Sequence, residues 1–82
     1  AALDFAARDK NTLVIVTGDH ETGGFAVQPG SKLNDIKVAF TTKSHTAIMI
    51  PVFAEGPGAE AFRGIYENTA IFDKIKAALD LN

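Results

Sequence analysis

Two places along the chain hold residue types able to do chemistry. In the stretch Leu13 to Gly24, LVIVTGDHETGG, Asp19 and His20 stand side by side, after Gly18 ends an apolar run and ahead of Gly23 and Gly24. A hard carboxylate oxygen next to a borderline imidazole nitrogen suits a divalent transition metal, zinc above all. The second place is Thr41-Thr42-Lys43-Ser44-His45-Thr46, a polar segment holding the other of the two histidines. A plainer reading stands beside each: Asp19 closes a turn or caps a helix, and each histidine is a solvated or hydrogen-bonded surface group. Lys43 and Ser44 are of the right type to touch a phosphate, but they read as ordinary loop residues. Gly56-Pro57-Gly58 lacks the Gly-Lys-Ser/Thr ending of a phosphate-cradling loop and reads as a turn.

Positioning such groups needs a scaffold, and the flanking residues describe one. Leu13-Val14-Ile15-Val16 is short, rich in β-branched residues and without alternation, the pattern of a strand buried on both faces. Open α/β sheets bind ligands beyond the carboxyl ends of their strands, and Asp19 and His20 fall at such an end. Ahead of it, Ala1 to Arg8 sets Leu3, Ala6 and Ala7 on one helical face. No Ser, Thr, Asp or Asn precedes that helix to receive its first amides, the expectation being a helix that was cut rather than started here.

Beyond the glycines, Phe25 to Gln28 is expected to pair with Ile36 to Thr41, where Ile36, Val38 and Phe40 alternate with Lys37, Ala39 and Thr41. Pro29-Gly30-Ser31 opens the connection with turn-forming residues. Such an antiparallel ribbon would carry the chain away from the Asp-His corner and back, returning His45 to it. Pro51 removes a ladder donor, so the strand in AIMIPVFA (47–54) should begin near Val52, lie at an edge at that point, or be bulged. Ala59 to Phe62 reads as one short helical turn that Gly64 stops. The last helix is expected to start at an Asn68 cap and to dock through Ile71, Phe72, Ile75, Ala78 and Leu79, leaving Asp73, Lys74, Lys76 and Asp80 wet.

The balance of residues narrows the classes. A chain of 82 residues is one domain at most, and a free-standing enzyme of that size is unusual. With 46% hydrophobic and 22% charged residues it reads as globular, and a net charge of −2 offers no basic patch for nucleic acid. No cysteine is present, so there is neither a disulfide framework nor a thiolate metal site, and oxidising and reducing compartments are both compatible. No apolar run approaches the ~20 residues of a membrane span, and no signal peptide opens the chain. A secreted precursor remains compatible, because the first residue is Ala1 rather than Met.

TGDHETGGF, then TTKSHTA, then PVFAEGPGAEAF, in that order, resembles the C-terminal part of bacterial alkaline phosphatases over most of the chain. The resemblance implies an α/β fold in which these residues form part of a sheet sandwiched by helices, with the antiparallel ribbon as an excursion. It makes residues 1–82 a single segment, the C-terminal fragment of a larger domain. It implies that Asp19 and His20 are adjacent ligands of one active-site zinc and His45 a ligand of a second; no ligand role carries over to Glu21, which reads as a turn or supporting residue.

The activity implied is hydrolysis of small-molecule phosphate monoesters through a phosphoserine intermediate, in a periplasmic or extracellular enzyme, with a homodimer compatible. The family's nucleophile is a serine after an aspartate, and neither Ser31 after Gly30 nor Ser44 after Lys43 matches it. The remaining zinc ligands and the magnesium site have no counterpart here either, so no catalytic residue falls in this stretch and the segment alone is expected to be inactive. Two alternatives remain: a small non-catalytic module binding a metal or anion, and another superfamily member acting as a phosphodiesterase, sulfatase or phosphoglycerate mutase.

Overall fold

In the computed structural model, which describes residues 1–81, the chain divides into two units. One is formed by Ala1–Thr17 with the residues from Pro51 onward, the other by Gly18–Ile50.

In the first unit, helix α1 (Ala2–Asp9) closes on Lys10, which takes the left-handed conformation (φ 61°) and donates its amide to the Ala6 carbonyl at 2.9 Å. That arrangement satisfies a carbonyl the helix end would otherwise leave open. The Thr12 hydroxyl donates to Asp9 Oδ2 at 2.6 Å, tightening the loop into strand β1 (Val14–Thr17). β1 pairs antiparallel with β4 (Val52–Glu55), with Val14 opposite Glu55 and Thr17 opposite Val52. The Thr17 hydroxyl also donates to the Pro51 carbonyl at 3.2 Å. β4 begins directly after Pro51, as the missing amide requires.

A 3-10 turn at Ala59–Phe62 follows, and Arg63 returns to extended backbone. Helix α2 (Ala70–Ala78) reaches that turn through Lys74, whose Nζ donates to the Ala61 carbonyl at 2.7 Å and lies 4.3 Å above the Tyr66 ring.

Three expectations change. β1 is not buried on both faces: its two leading residues are half-covered and its last two exposed, because among the described residues β4 is its one hydrogen-bonded neighbour. Asn68 does not cap α2 with its side chain; the helix starts from Thr69, and the Asn68 main-chain carbonyl accepts from Ile71 at 3.1 Å. The face of α2 expected to dock is largely open, with Phe72 70% and Leu79 64% exposed and Ile71 half-covered, while Lys74 and Lys76 are half-covered as well. The core that results is small: among the described residues the buried apolar ones are Ala6 and Phe62.

The second unit is built on the expected ribbon, shorter than its apolar pattern. β2 (Ala26–Val27) pairs antiparallel with β3 (Val38–Ala39), Ala26 opposite Ala39 and Val27 opposite Val38. The pairing continues as Gln28 donates its amide to the Lys37 carbonyl at 2.8 Å. Phe25 and Phe40 pack ring to ring at the open end, with centroids 5.3 Å apart. The far end is clipped by Ser31, whose hydroxyl donates to the Gln28 carbonyl at 2.7 Å and accepts the Lys37 amide at 3.0 Å.

Candidate metal centre

The Gly18–Ile50 unit brings together the side chains that its sequence marks. Asp19 and His20 follow β1, and the ribbon delivers His45 beside them, with the two imidazole centroids 3.6 Å apart and the rings tilted by 39°. Asp19 Oδ1 accepts the His20 amide at 3.0 Å, while its Oδ2 lies 3.4 Å from His20 Nε2. The Asp19 side chain is 88% exposed and that of His20 45%.

A main-chain carbonyl sets the chemistry of both rings. His20 Nδ1 is 2.9 Å from the Glu21 carbonyl oxygen and His45 Nδ1 is 3.0 Å from the same atom. A carbonyl oxygen only accepts and has two lone pairs, so each ring donates its Nδ1–H, and a neutral ring then keeps its lone pair on Nε2. Metal-binding histidines are commonly oriented in this way, one nitrogen toward the metal and the other toward a carbonyl.

For neutral His20 the consequence is that two electron-pair donors, Nε2 and Asp19 Oδ2, face each other at 3.4 Å with no proton between them. A cation resolves that opposition. Two ligands of a tetrahedral zinc with bonds of ~2.0–2.2 Å stand about 3.4 Å apart, so the pair has the bite of a zinc chelate. Oxygen and neutral imidazole are also the donor chemistry that zinc takes. The donors therefore fit a metal ion, although among the described residues no three His, Asp or Glu side chains enclose a single ion.

The glycines permit the approach. Gly23 and Gly24 are buried with φ of 67° and 63°, a conformation that side chains rarely adopt. A Cβ on Gly23 would stand 2.8 Å from the Phe40 ring and 2.9 Å from the Thr42 carbonyl. Without it, the Gly23 carbonyl accepts the amides of Thr41 and Thr42 at 2.8 and 3.2 Å.

The residue that sequence reasoning undervalued is Glu21. Its Oε2 accepts the Gly24 amide at 2.6 Å and its Oε1 accepts the Thr46 amide, so one carboxylate ties its own loop to the residue after His45. Burial acts to raise its pKa, but hydrogen bonds from the Thr46 hydroxyl and amide and the Gly24 amide outweigh it and hold the carboxyl below its ordinary value. The available signal was a carboxylate three residues ahead of a glycine amide, a local bond that spacing allows. Lys43 and Ser44 stay in the loop; the Ser44 amide donates to the Thr42 hydroxyl at 3.2 Å, a local turn.

An apolar strand that runs into an Asp-His corner is the local pattern of α/β folds, whose ligands bind beyond the strand ends. The particular family follows from comparison: a family model described as alkaline phosphatase matches residues 32–81, and the chain belongs to that family. It is 35% identical to an alkaline phosphatase of Escherichia fergusonii, over 98% of this chain and 21% of that protein. It is 32% identical to streptomycin-6-phosphate phosphatase of Streptomyces griseus, over 99% of this chain and 22% of that one.

Among solved structures, alkaline phosphatase from the Antarctic bacterium TAB5 superposes with a TM-score of 0.87 at 50% identity, covering 99% of this chain and 26% of its own. A variant of that enzyme with Mg bound superposes with a TM-score of 0.85. The fold is thus the α/β alkaline phosphatase fold, and the chain spans about a fifth to a quarter of the length of these relatives.

Proposed function

We propose that the intact protein is a metal-dependent phosphomonoesterase to which residues 1–82 contribute metal ligands as one segment of a larger domain. Asp19 and His20 would hold one zinc and His45 a second, with a magnesium site and the serine nucleophile supplied by residues outside this chain. The observation that carries the reading is the Asp19 Oδ2 to His20 Nε2 pair at 3.4 Å, which for a neutral imidazole holding its proton on Nδ1 sets two electron-pair donors at the bite of a metal chelate. The second imidazole supports it by standing beside the first, so that a further nitrogen donor lies next to the Asp19-His20 pair.

Bound zinc would supply positive charge against the phosphoryl oxygens and Lewis acidity toward the attacking and leaving groups. The chain's own part is positional. Asp19 offers a carboxylate fixed by the His20 amide, and each imidazole presents Nε2 because its other nitrogen is occupied. Membership of the alkaline phosphatase family supports the phosphate ester as substrate, as does a relative named for streptomycin 6-phosphate. A periplasmic or extracellular location goes with the same reading.

The test is zinc content and p-nitrophenyl phosphate turnover of the intact protein and of Asp19→Asn, His20→Ala and His45→Ala. Each variant is expected to lose metal and to lower kcat by at least 100-fold, since the metals act on the reacting oxygens themselves. Wild-type zinc content in all three, or a preference for sulfate esters or phosphodiesters in the parent, would overturn the assignment.

A further inference from the structure

Glu21 contributes two kinds of contact to the pair of imidazoles. Its main-chain carbonyl receives both Nδ1–H groups, at 2.9 Å from His20 and 3.0 Å from His45. Its carboxylate grips both loops, with Oε2 on the Gly24 amide at 2.6 Å and Oε1 on the Thr46 amide. The two contacts are mechanically linked, because the side chain that anchors to Thr46 fixes the position of the carbonyl to which His45, one residue earlier, is bonded. Elsewhere the two loops are joined at the Gly23 carbonyl, which accepts the Thr41 and Thr42 amides, and by the short pairing of β2 with β3, while Thr42 to Ser44 are exposed.

We propose that Glu21 is the positioning residue of the metal centre, a clamp that sets the separation and tautomer of His20 and His45 and so the spacing of the ions they would hold. It rests on the metal-binding reading given above. Both of its carboxylate oxygens are engaged by amides of the two loops, so its role is to place ligands rather than to be one. Supporting groups of this kind typically change metal affinity about 10–100-fold when removed.

The experiment compares wild type, Glu21→Gln, Glu21→Ala, His20→Ala and His45→Ala in the intact protein. It reads zinc affinity by chelator competition, the visible absorption bands of the cobalt(II)-loaded protein, and the Tm of the metal-free form. Glu21→Ala is expected to bind zinc about 10–100-fold more weakly and to shift the cobalt bands. Glu21→Gln keeps one acceptor oxygen at the same reach but turns an NH2 toward the other amide, and is expected to fall between the two.

If Glu21→Ala lowers only the Tm, with zinc affinity and cobalt bands as in wild type, Glu21 is merely structural and the clamp is overturned while the metal reading stands. Should Glu21→Ala fail to fold, wild-type affinity and bands in Glu21→Gln overturn it equally. Wild-type affinity in His20→Ala and His45→Ala removes the metal reading and the clamp together.

Discussion

The donors at the centre differ in how much of their role resides in residue type. At Asp19 and His20 adjacency shows only donor types that zinc accepts, and the proposal that they bind it rests on the resemblance and on their geometry as well. Which nitrogen of the ring is offered is not legible, since it depends on where the Glu21 carbonyl lies. Glu21 was legible as a turn or supporting residue but its partner was not, because Thr46 is 25 residues away and reaches it only once the ribbon has formed.

The glycines lie between these extremes. A Gly-Gly pair signals an unusual backbone but not what presses against it, which here is Phe40 and Thr42 at Gly23 and Thr41 at Gly24. Gly24→Ala would force a Cβ into the Thr41 side chain at φ 63°, where the left-handed backbone alone costs roughly 1–2 kcal/mol. The substitution is expected to destabilise the intact protein by at least that much in denaturant titration, and to weaken zinc binding because Gly24 also receives the Glu21 carboxylate.

Among the elements, the ribbon was read correctly in direction and partner strands but not in length. Ile36, Val38 and Phe40 alternate as a half-buried strand should, yet ladder pairing stops at two residues, and all three are about half exposed. A ribbon this short needs its ends fixed, and Ser31 does so at one end with its hydroxyl bonds to Gln28 and Lys37. Ser31→Ala removes the acceptor of the Lys37 amide, and hydrogen bonds of this sort contribute about 0.5–1.5 kcal/mol. The expected outcome is faster hydrogen exchange at Lys37 and Gln28 with unchanged protection in α1; equal exchange in the two proteins would show that the turn holds itself.

Helix α2 makes the opposite point. Its apolar stripe was identified correctly from the 3.6-residue period, while the surface it docks on was not, because periodicity reports which side is apolar and not what meets it. The wet-side Lys74 is the residue that anchors the helix, through a carbonyl and an aromatic face. Lys74→Ala is expected to loosen α2 from the 3-10 turn by about 0.5–1 kcal/mol, the range of an exposed cation over a ring, seen as earlier local exchange at Ala61 and Phe62. Asn68→Ala, by contrast, should be nearly silent, since its main chain and not its side chain starts the helix.

At the scale of the whole molecule the decisive feature is how little the chain buries by itself. Ala6 and Phe62 are buried, whereas Leu3, Phe5, Val16, Phe53, Phe72 and Leu79 are all more than half exposed, although the periodicity of three of the elements that carry them, α1, β1 and α2, marks apolar faces made for burial. Covering a large apolar side chain is worth about 1.5–3 kcal/mol, so six of them represent an amount comparable to the entire stability of a domain, roughly 5–15 kcal/mol. Fixing the backbone of each residue costs roughly 1–2 kcal/mol, and among the described residues only Ala6 and Phe62 set a buried apolar side chain against it.

The relatives supply the scale of what would cover these faces, since the chain spans 26% of the TAB5 enzyme while superposing on it closely. Expressed alone, residues 1–82 are therefore expected to melt without a cooperative transition, to bind a hydrophobic dye such as ANS, to hold zinc weakly and to show no p-nitrophenyl phosphate turnover. The same sequence within the intact protein should unfold cooperatively, with its amides at β1 and α2 protected. A sharp thermal transition and protected β1 amides in the isolated chain would mean that its own contacts suffice, and that the exposed faces serve some other purpose than to meet the rest of a phosphatase.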